Sequence, residues 1–348
     1  MKKLLIGLAI LFAASAGFST TAIAEETQAI DVLPTMNWTS SAPNRIWVGT
    51  FQIVWNEFMD NVVKKKIKFV DYDSQVAKAL NKKEFKKNDI SEDAYYTKYG
   101  TVSPELKTAI EEGIKEKFNE TSDILDTMDW TYNPEKILVY AMLKKDFKFL
   151  KAFDKLQPGM FAQNSAPVEY FGINSDSNKK LDKNLKVLFY NNENDFAVKV
   201  YTQDNDMVLL YRTNDDVTFD KYYKDIEKKT KKYKGDKDFK AEDELKIPNI
   251  NLYKETSFKD VEGHQIKGTD FKIDRTIETI DFKMDNEGVE LKSEAAIIAK
   301  MCALPIMDGR RFYFTDNFVL FLIEKGENKP YYAMKVSDVE TLNKTGRK

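Results

Sequence analysis

The chain has 348 residues, of which 42% are hydrophobic, and its 54 Lys and Arg against 56 Asp and Glu give a formal net charge of −2. Because charges of both signs are interspersed, we expect no field that would attract nucleic acid or an anionic membrane. The single histidine and single cysteine exclude an internal disulfide, a conventional zinc site and an iron–sulfur cluster, and we expect neither a metal nor a cofactor.

The N-terminus has the pattern of a secretory signal peptide. Lys2 and Lys3 precede an apolar run, and Ala22-Ile23-Ala24 provides a small-residue cleavage site. The apolar run is too short for a membrane span, which argues against the alternative of a retained anchor. We therefore predict a signal peptide over residues 1–24. Residues 25–348 are expected to form one exported domain, periplasmic or secreted, that is soluble and monomeric.

Helices dominate the first part of the mature chain. Residues 25–43 are polar and predict an irregular N-terminal arm. Residues 46–58 carry aromatic side chains at helical spacing, which predicts a short strand leading into a buried helix. Ser103 followed by Pro104 is a helix start signal, and apolar residues at helical spacing extend this helix to about residue 120.

Strands dominate the later part. The nearly continuous apolar run over residues 136–143 predicts a strand buried on both faces. Phe147, Phe149 and Phe153 predict an amphipathic segment lying on the sheet. The next elements are three antiparallel strands, a charged helix and one more strand, over residues 185–213, 220–233 and 245–250. Helices first and strands later predict a mixed α+β domain with at least one large sheet.

Two amphipathic strand segments of opposite parity lie between residues 279 and 296. The positions that share a face are Ile280, Phe282 and Met284 in the first segment, and Val289, Leu291, Ser293 and Ala295 in the second. A one-residue slip sends every side chain to the opposite face, so the two segments cannot form one flat strand. We predict that the chain turns at Gly288, because glycine takes a positive φ without a steric penalty.

The order of these elements resembles that of the serpins. Asn286-Glu287-Gly288 stands where that family has the hinge of its reactive loop. Residues 316–323 look like the strand that follows the loop, and residues 331–336 look like the last strand. Residues 137–154 are similar to the family's run from a central strand into an aromatic segment. The resemblance implies a serpin-like α+β fold with a large mixed central β-sheet, additional sheets and N-terminal helices.

The resemblance also implies a function. Serpins inhibit serine or cysteine proteases as suicide substrates: the reactive loop is cut, and its hinge inserts as a new strand in the central sheet. By position, the hinge comprises Glu287, Gly288, Val289, Leu291, Ser293, Ala295 and Ala296, and the cleavage region comprises Lys300, Met301, Cys302 and Ala303. Arg310 and Arg311 are alternative cleavage points for a trypsin-like enzyme. A protein of this kind is not an enzyme.

Two other functions stay open. Bulky or charged side chains stand at Val289, Leu291, Lys292 and Glu294, where serpins usually have small residues. This favours a serpin-fold binding or envelope-associated protein that no longer inhibits. An unrelated exported α+β hydrolase is the second alternative, because acidic residues are abundant, although no pair of them stands out. His264 lies in a predicted turn and is expected to have a structural or surface role.

Overall fold

The computed structural model describes residues 29–122, 124–162, 164–290 and 309–347. The α-helices of these residues, α1 to α5, are Gly49–Glu57, Gln75–Leu80, Pro104–Phe118, Phe219–Lys232 and Val339–Thr345. The strands β1 to β9 are Ile30–Val32, Asn44–Val48, Tyr95–Val102, Asn133–Leu143, Phe147–Lys148, Asp154–Gly159, Val168–Ile173, Leu185–Asn192 and Asp195–Tyr201. The strands β10 to β17 are Asp206–Arg212, Glu244–Pro248, Ile250–Thr256, Glu278–Met284, Gly288–Glu290, Arg311–Tyr313, Phe318–Glu324 and Tyr332–Val336.

The largest sheet is continuous and has seven strands in the order β1-β2-β17-β16-β10-β9-β8. Every residue of β16 is buried, and this strand pairs antiparallel with β10 on one edge and β17 on the other. The predicted antiparallel neighbours over residues 185–213 are confirmed as β8, β9 and β10. Part of the arm that we expected to be irregular forms β1, which pairs in parallel with β2.

Two smaller sheets lie on either side of a cleft, and we call them together the divided sheet. One has the order β12-β13-β14-β5, and the other is the pair β3-β4. Helix α3 begins after Ser103, whose side chain accepts a hydrogen bond from the Leu106 backbone N–H, as the start signal predicted. This helix packs on the β3-β4 pair through a small cluster of its own, which includes Ile110, Ile114 and Tyr140.

Helix α1 lies in the main core and follows β2 directly, as predicted. A side chain at Gly49 would collide with the Phe85 ring, because a Cβ there would lie 2.3 Å from the ring carbon Cε1. Glycine at this position therefore lets the strand turn into the helix beneath a packed aromatic ring. Phe51 and Trp55 of α1 are buried, and Phe51 stacks on Phe258 with ring centroids 4.1 Å apart.

Two predictions about residues 136–153 were wrong. The strand β4 exists, but only Tyr140 within it is buried, and among the described strands it pairs with β3 alone. Its residues 138–143 also line a cleft. The aromatic segment that follows joins the sheet as β5 and does not lie on top of it, while Phe147, Phe149 and Phe153 point into the core.

Another sheet carries the chain after residue 308. It has the order β15-β11-β7-β6, and β15 pairs in parallel with β11. Within the described ranges no helix combines the length and the apolar character that crossing a bilayer requires.

Candidate functional site: the strand cleft

The hinge predicted around Gly288 is a tight hairpin between β13 and β14. Lys283 pairs with Glu290, and Met284 pairs with Val289, in antiparallel register. The turn is closed by a hydrogen bond from the Asp285 backbone N–H to the Gly288 carbonyl oxygen at 3.1 Å. The reversal that the opposite parity predicted is therefore present, and Val289 is fully buried.

Gly288 is required by a close approach and not by its backbone torsion. The glycines with positive φ in the described chain are Gly172, Gly263, Gly268 and Gly326, so our reason for a turn at Gly288 was wrong. A Cβ at Gly288 would lie only 2.3 Å from the Phe147 carbonyl oxygen. Strand β14 can therefore pair with β5, Gly288 opposite Lys148, only because this side chain is absent.

The hairpin is anchored to the chain that follows β5. The Phe149 backbone N–H donates to the Glu287 carbonyl oxygen at 2.9 Å, and the Phe153 backbone N–H donates to the Asn286 carbonyl oxygen at 2.8 Å. Asn286 returns a bond from its side-chain Nδ2 to the Phe153 carbonyl oxygen at 3.3 Å. Because both phenylalanine rings are buried, the hinge is held by the core.

Beyond β14 the sheet opens into a cleft, which we call the strand cleft. Strand β14 has three residues and ends at Glu290. Strand β13 pairs with β12 along its whole length. Strand β14 pairs with only the last two residues of β13, Lys283 and Met284. The strand cleft between β13 and β4 has a volume of about 210 Å³ and is lined by residues 138–144 and by residues 275–279 and 281.

Two further segments line the strand cleft. On the core side, α1 contributes Thr50, Phe51 and Val54. The segment that follows α3 contributes Ser122 and Ile124, among others. The cleft therefore has two strand edges as walls and is lined in addition by helix α1 and by the connection that α3 leads into.

Glu278 is a buried carboxyl group at one end of the strand cleft. It is 6% exposed, and its Oε1 accepts a hydrogen bond from the Phe51 backbone N–H at 3.2 Å. Burial raises the pKa of Glu278 to about 8, and the bond from Phe51 acts in the opposite direction. Four other charged groups along the cleft form two pairs: Lys144 lies 3.0 Å from Glu120, and Arg347 lies 3.7 Å from Asp281.

A buried ionic cluster joins the divided sheet to the seven-stranded sheet. Lys145, between β4 and β5, lies 3.2 Å from Asp206 of β10 and also pairs with Glu324 of β16. The Tyr331 hydroxyl donates to Asp206 at 2.9 Å, and the Ser91 backbone N–H donates to Glu324 at 2.8 Å. Burial raises the pKa of Asp206, whereas for Glu324 the bonds from Lys145 and Ser91 outweigh burial and lower the pKa.

The chain that returns after residue 308 is anchored by Arg310. Its guanidinium donates to the buried carboxylate of Asp243 at 2.6 Å and to the carbonyl oxygens of Asp236 at 2.8 Å and Asp238 at 2.6 Å. Arg311 begins β15, which pairs with β11. Both arginines are half-buried in the structure, and their role as alternative cleavage points stays a prediction.

The structure places part of the predicted site. Among the hinge residues, Glu287 is exposed, whereas Gly288 and Val289 are buried between β13 and β5. The other predicted residues lie outside the described chain, and their roles stay predictions: Leu291, Ser293, Ala295, Ala296, Lys300, Met301, Cys302 and Ala303. Within the described ranges no group of three or more His, Cys, Asp or Glu side chains could hold a metal ion. His264 stacks on Tyr72 at the surface, with centroids 4.6 Å apart.

Sequence reasoning missed three features of this site. They are the buried carboxyl group of Glu278, the Lys145 cluster and the Arg310 anchor. One signal was available for Glu278: it continues the parity of Ile280 and Phe282, so a charged residue stands at a position of the buried face. The other two features join residues that are far apart in the chain, and no local pattern indicates them.

The strand order and the strand cleft define a serpin-like α+β fold, and the comparison with solved structures agrees. No family model matches the chain, and no curated protein sequence matches it. A structure of maspin superposes with a TM-score of 0.52 at 12% sequence identity, covering 85% of this chain and 92% of maspin. At this identity the likeness concerns the fold alone, and the predicted serpin resemblance in fold is confirmed.

Two other solved structures are similar over a smaller share of the chain. Serpin48 of the insect Tenebrio molitor, whose structure is described as that of a highly specific serpin, matches with a TM-score of 0.42 and 12% identity over 72% of this chain and 78% of its own. Thyroxine-binding globulin in complex with thyroxine matches with a TM-score of 0.44 and 10% identity over 68% of this chain. That match spans 65% of the globulin, less than two thirds of its length.

Proposed function

We propose that this protein is an exported, serpin-like inhibitor of a serine or cysteine protease that acts as a suicide substrate. The observation that carries the proposal is the incomplete strand β14. It enters the sheet between β13 and β5 for three residues, and the strand cleft continues in line with it between β13 and β4. The segment from residue 291 onwards is the natural occupant of that cleft, because it follows β14 directly.

The register of β14 supports this occupant. Continued along β13, it sets Leu291 opposite Phe282 and Ser293 opposite Ile280. Phe282 and Ile280 are both buried, and residues opposite each other in an antiparallel pair share a face. The alternate residues that would enter the core are therefore the same ones that the sequence parity predicts.

The energetics also favour occupation after cleavage. The edges of β13 and β4 that face the cleft would gain backbone hydrogen bonds, each with a net value of about 0.5–1.5 kcal/mol. Burial of Leu291 would add about 1.5–3 kcal/mol. On the outer face, Lys292 would stand opposite Asp281, a pair of opposite charges of the kind that stabilises neighbouring strands.

The Arg310 anchor determines which part of a cut loop could move. Cleavage breaks one peptide bond of the loop, and the new carbonyl carbon becomes bonded to the nucleophile of the protease. The piece that ends at this acyl bond is joined to β14 and can follow it into the strand cleft. The other piece carries the new amine and stays at Asp243 through Arg310. The protease would be carried with the moving piece and distorted.

Limited proteolysis tests the proposal. The loop is nicked with a non-specific protease, and the melting temperature is measured before and after the cut. A large rise is expected, because the cut chain completes the sheet. An Ala295→Arg variant is the control: it should be nicked equally well but show a much smaller rise, since a charged side chain would have to enter the core. An unchanged melting temperature in the wild type contradicts the inhibitor.

A target enzyme would be identified by a complex that survives denaturant. Serine and cysteine proteases are incubated with the protein, and the mixture is resolved by denaturing electrophoresis. A band is expected at the summed mass of the protease and the N-terminal piece of the cut chain, because the acyl bond joins these two and the denaturant releases the other piece. N-terminal sequencing of the exported protein tests the proposed signal peptide, because the chain should begin at residue 25, and sedimentation tests the proposed monomer.

A non-inhibitory binding protein is the second candidate. Glu278 favours it, because a buried carboxyl group stands where the inserting strand would pass. The bulk of Leu291 and the charges of Lys292 and Glu294 also favour a protein that does not inhibit, because serpins usually have small residues at these positions. Such a protein would be cut in the same loop without a rise in melting temperature and without forming a denaturant-stable complex.

A further inference from the structure

The strand cleft contains one buried carboxyl group that no cation of the described chain neutralises. Glu278 is 6% exposed and lines the cleft, where its Oε1 accepts the Phe51 backbone N–H at 3.2 Å. No other hydrogen bond or ion pair reaches this carboxyl group from the described residues. A carboxylate that is removed from water is costly unless it is paired, so its second oxygen, Oε2, offers a contact to a ligand that carries a positive charge.

The other charged groups around the cleft do not supply that charge. Four of them form two pairs: Lys144 with Glu120 at 3.0 Å, and Arg347 with Asp281 at 3.7 Å. The remaining cation of the lining, Arg275, is exposed, and no ion pair joins it to Glu278 within the described ranges. Across the sheet, the residue of β12 opposite Glu278 is the uncharged Thr256. The site therefore presents an acid without its counter-charge.

The rest of the cleft suits an apolar body. Its volume is about 210 Å³, and an apolar cavity of about 150 Å³ is large enough to hold a benzene molecule. Phe51 and Val54 of α1 and Ile124 after α3 are among the apolar residues that line it. There is thus room beside Glu278 for one aromatic ring and a short chain.

We propose that the strand cleft is a binding site for a small primary amine with an apolar body, whose ammonium group pairs with the Glu278 carboxylate. The ammonium donates to Oε2 while Oε1 keeps its bond from the Phe51 N–H, and the apolar body lies against the residues of α1. Every group that the site needs belongs to the described chain, and no cut in the loop is required. The site therefore goes beyond the proposed function, and an inhibitor or a binding protein could have it equally.

Binding exchanges a proton for the charge of the ligand. Burial holds the pKa of Glu278 at about 8, so this carboxyl group carries its proton at neutral pH when no cation is beside it. The arriving ammonium pairs with the ionised form, and the proton of Glu278 passes to solvent. Affinity for the amine should therefore rise with pH as Glu278 ionises. A neutral alcohol of the same shape gains no ion pair and releases no proton.

Calorimetric titration of the intact protein tests the site with three probes of similar shape, which are phenethylamine, phenethyl alcohol and phenylacetate. Phenethylamine should bind most tightly, the alcohol about tenfold more weakly, and phenylacetate most weakly of all. Titrations at neutral pH in two buffers of different ionisation enthalpy should show the release of about one proton per bound amine.

Two variants separate Glu278 from its surroundings. Glu278→Gln keeps the shape of the side chain and removes its charge, so affinity for phenethylamine should fall to that for the alcohol, and the proton release should disappear. Glu255→Gln makes the same substitution at an exposed residue of β12 that is not part of the cleft lining, and it should bind as the wild type does.

A third readout needs no variant and reports the place of binding. The NMR signal of the Phe51 amide, which donates to Glu278, should shift when phenethylamine binds to the wild type. The comparison of probes and this signal remain informative even if Glu278→Gln fails to fold.

Several results would overturn the site. They are equal affinity of the wild type for the amine and the alcohol, amine binding that survives in Glu278→Gln, and an amine that binds without moving the Phe51 signal. Failure of all three probes to bind would do the same. None of these results bears on the melting temperature of the nicked protein, so the amine site and the inhibitor can fail separately.

Discussion

The seven-stranded sheet and the divided sheet use the same chain in opposite ways. In the first, β16 is buried at every residue and paired along both edges. In the second, β13 and β4 both border the strand cleft. Strand β14 has three residues and pairs with only the end of β13. A sheet whose strands are all paired gains no hydrogen bonds from a further strand, whereas a sheet that borders a cleft can gain them. We expect the first to determine stability and the second to determine function.

The difference lies in the edges rather than in the amino-acid types. Residues 318–323 of β16 and residues 137–143 of β4 are both apolar runs. Burial of β16 follows from neighbours on both edges and helices or sheets on both faces. Among the described strands, β4 pairs with β3 alone, and most of its side chains are partly exposed. The Lys145 cluster joins the two regions, which places a buried network at their boundary.

The largest effect is expected from truncating the centre of the complete sheet. Leu320→Ala should lower the free energy of unfolding by about 3–5 kcal/mol, because this fully buried side chain leaves a cavity that neighbours on both edges prevent from collapsing. Denaturant unfolding measures the change. Leu138→Ala, the same substitution in the partly exposed strand β4, is the matched control, with an expected loss of about 1–1.5 kcal/mol. Equal losses would contradict the comparison.

The next effect concerns the boundary. Lys145→Met should lower the free energy of unfolding by about 2–4 kcal/mol at pH 7, because Asp206 and Glu324 lose their cation while they stay buried. Lys148→Met, an exposed lysine on β5, should change it by less than about 0.5 kcal/mol. The measurement is denaturant unfolding at several pH values.

The pH dependence of the same variant follows from Glu324. Its pKa is lowered below 4.5 in the folded protein, so the unfolded state binds more protons as pH falls. The stabilisation by Glu324 is present above pH 4.5 and is lost as pH falls through the folded pKa. The loss in free energy of unfolding that Lys145→Met causes should therefore become smaller as pH falls. A penalty that grew toward acid pH would show that this ion pair does not stabilise the boundary.

A smaller effect is expected at the hinge. Gly288→Ala places a methyl group in contact with the Phe147 carbonyl oxygen, so β14 must separate from β5, at a cost of about 1–3 kcal/mol. Glu287→Ala changes the exposed neighbour and should cost less than about 0.5 kcal/mol. Hydrogen exchange at the Phe149 amide, which donates to the Glu287 carbonyl oxygen, should accelerate in the glycine variant only. Unchanged exchange would refute the close-approach argument.

The last effect is a gain in stability. Because Glu278 has a folded pKa of about 8 against 4.5 in the unfolded chain, the folded state binds more protons between these values. Stability of the intact wild type should therefore fall as pH rises through that window. Glu278→Gln removes this slope, so its stability relative to the wild type should increase as pH rises through the same window. The same pH dependence of the free energy of unfolding in the two proteins would contradict this prediction.

Local patterns were sufficient for several elements. Ser103 and Pro104 indicated where α3 begins, and the aromatic spacing of residues 46–58 indicated α1. The opposite parities on the two sides of Gly288 predicted the hairpin of β13 and β14. These predictions succeeded because capping and side-chain alternation depend on residues within one turn or one strand. The reason given for Gly288 failed, because the neighbour that excludes a side chain there is Phe147.

The amino-acid sequence by itself determined the helix starts, the alternation of the strands and the reversal at the hinge, because each depends on contacts within a few residues. Only the tertiary structure decided that β4 borders a cleft, that β5 supports the hinge, and that Glu278 is buried against Phe51. Glu278 and Phe51 are separated by 227 residues, and Lys145 and Glu324 by 179. Such pairs form only when distant segments pack, so no window of the sequence contains them.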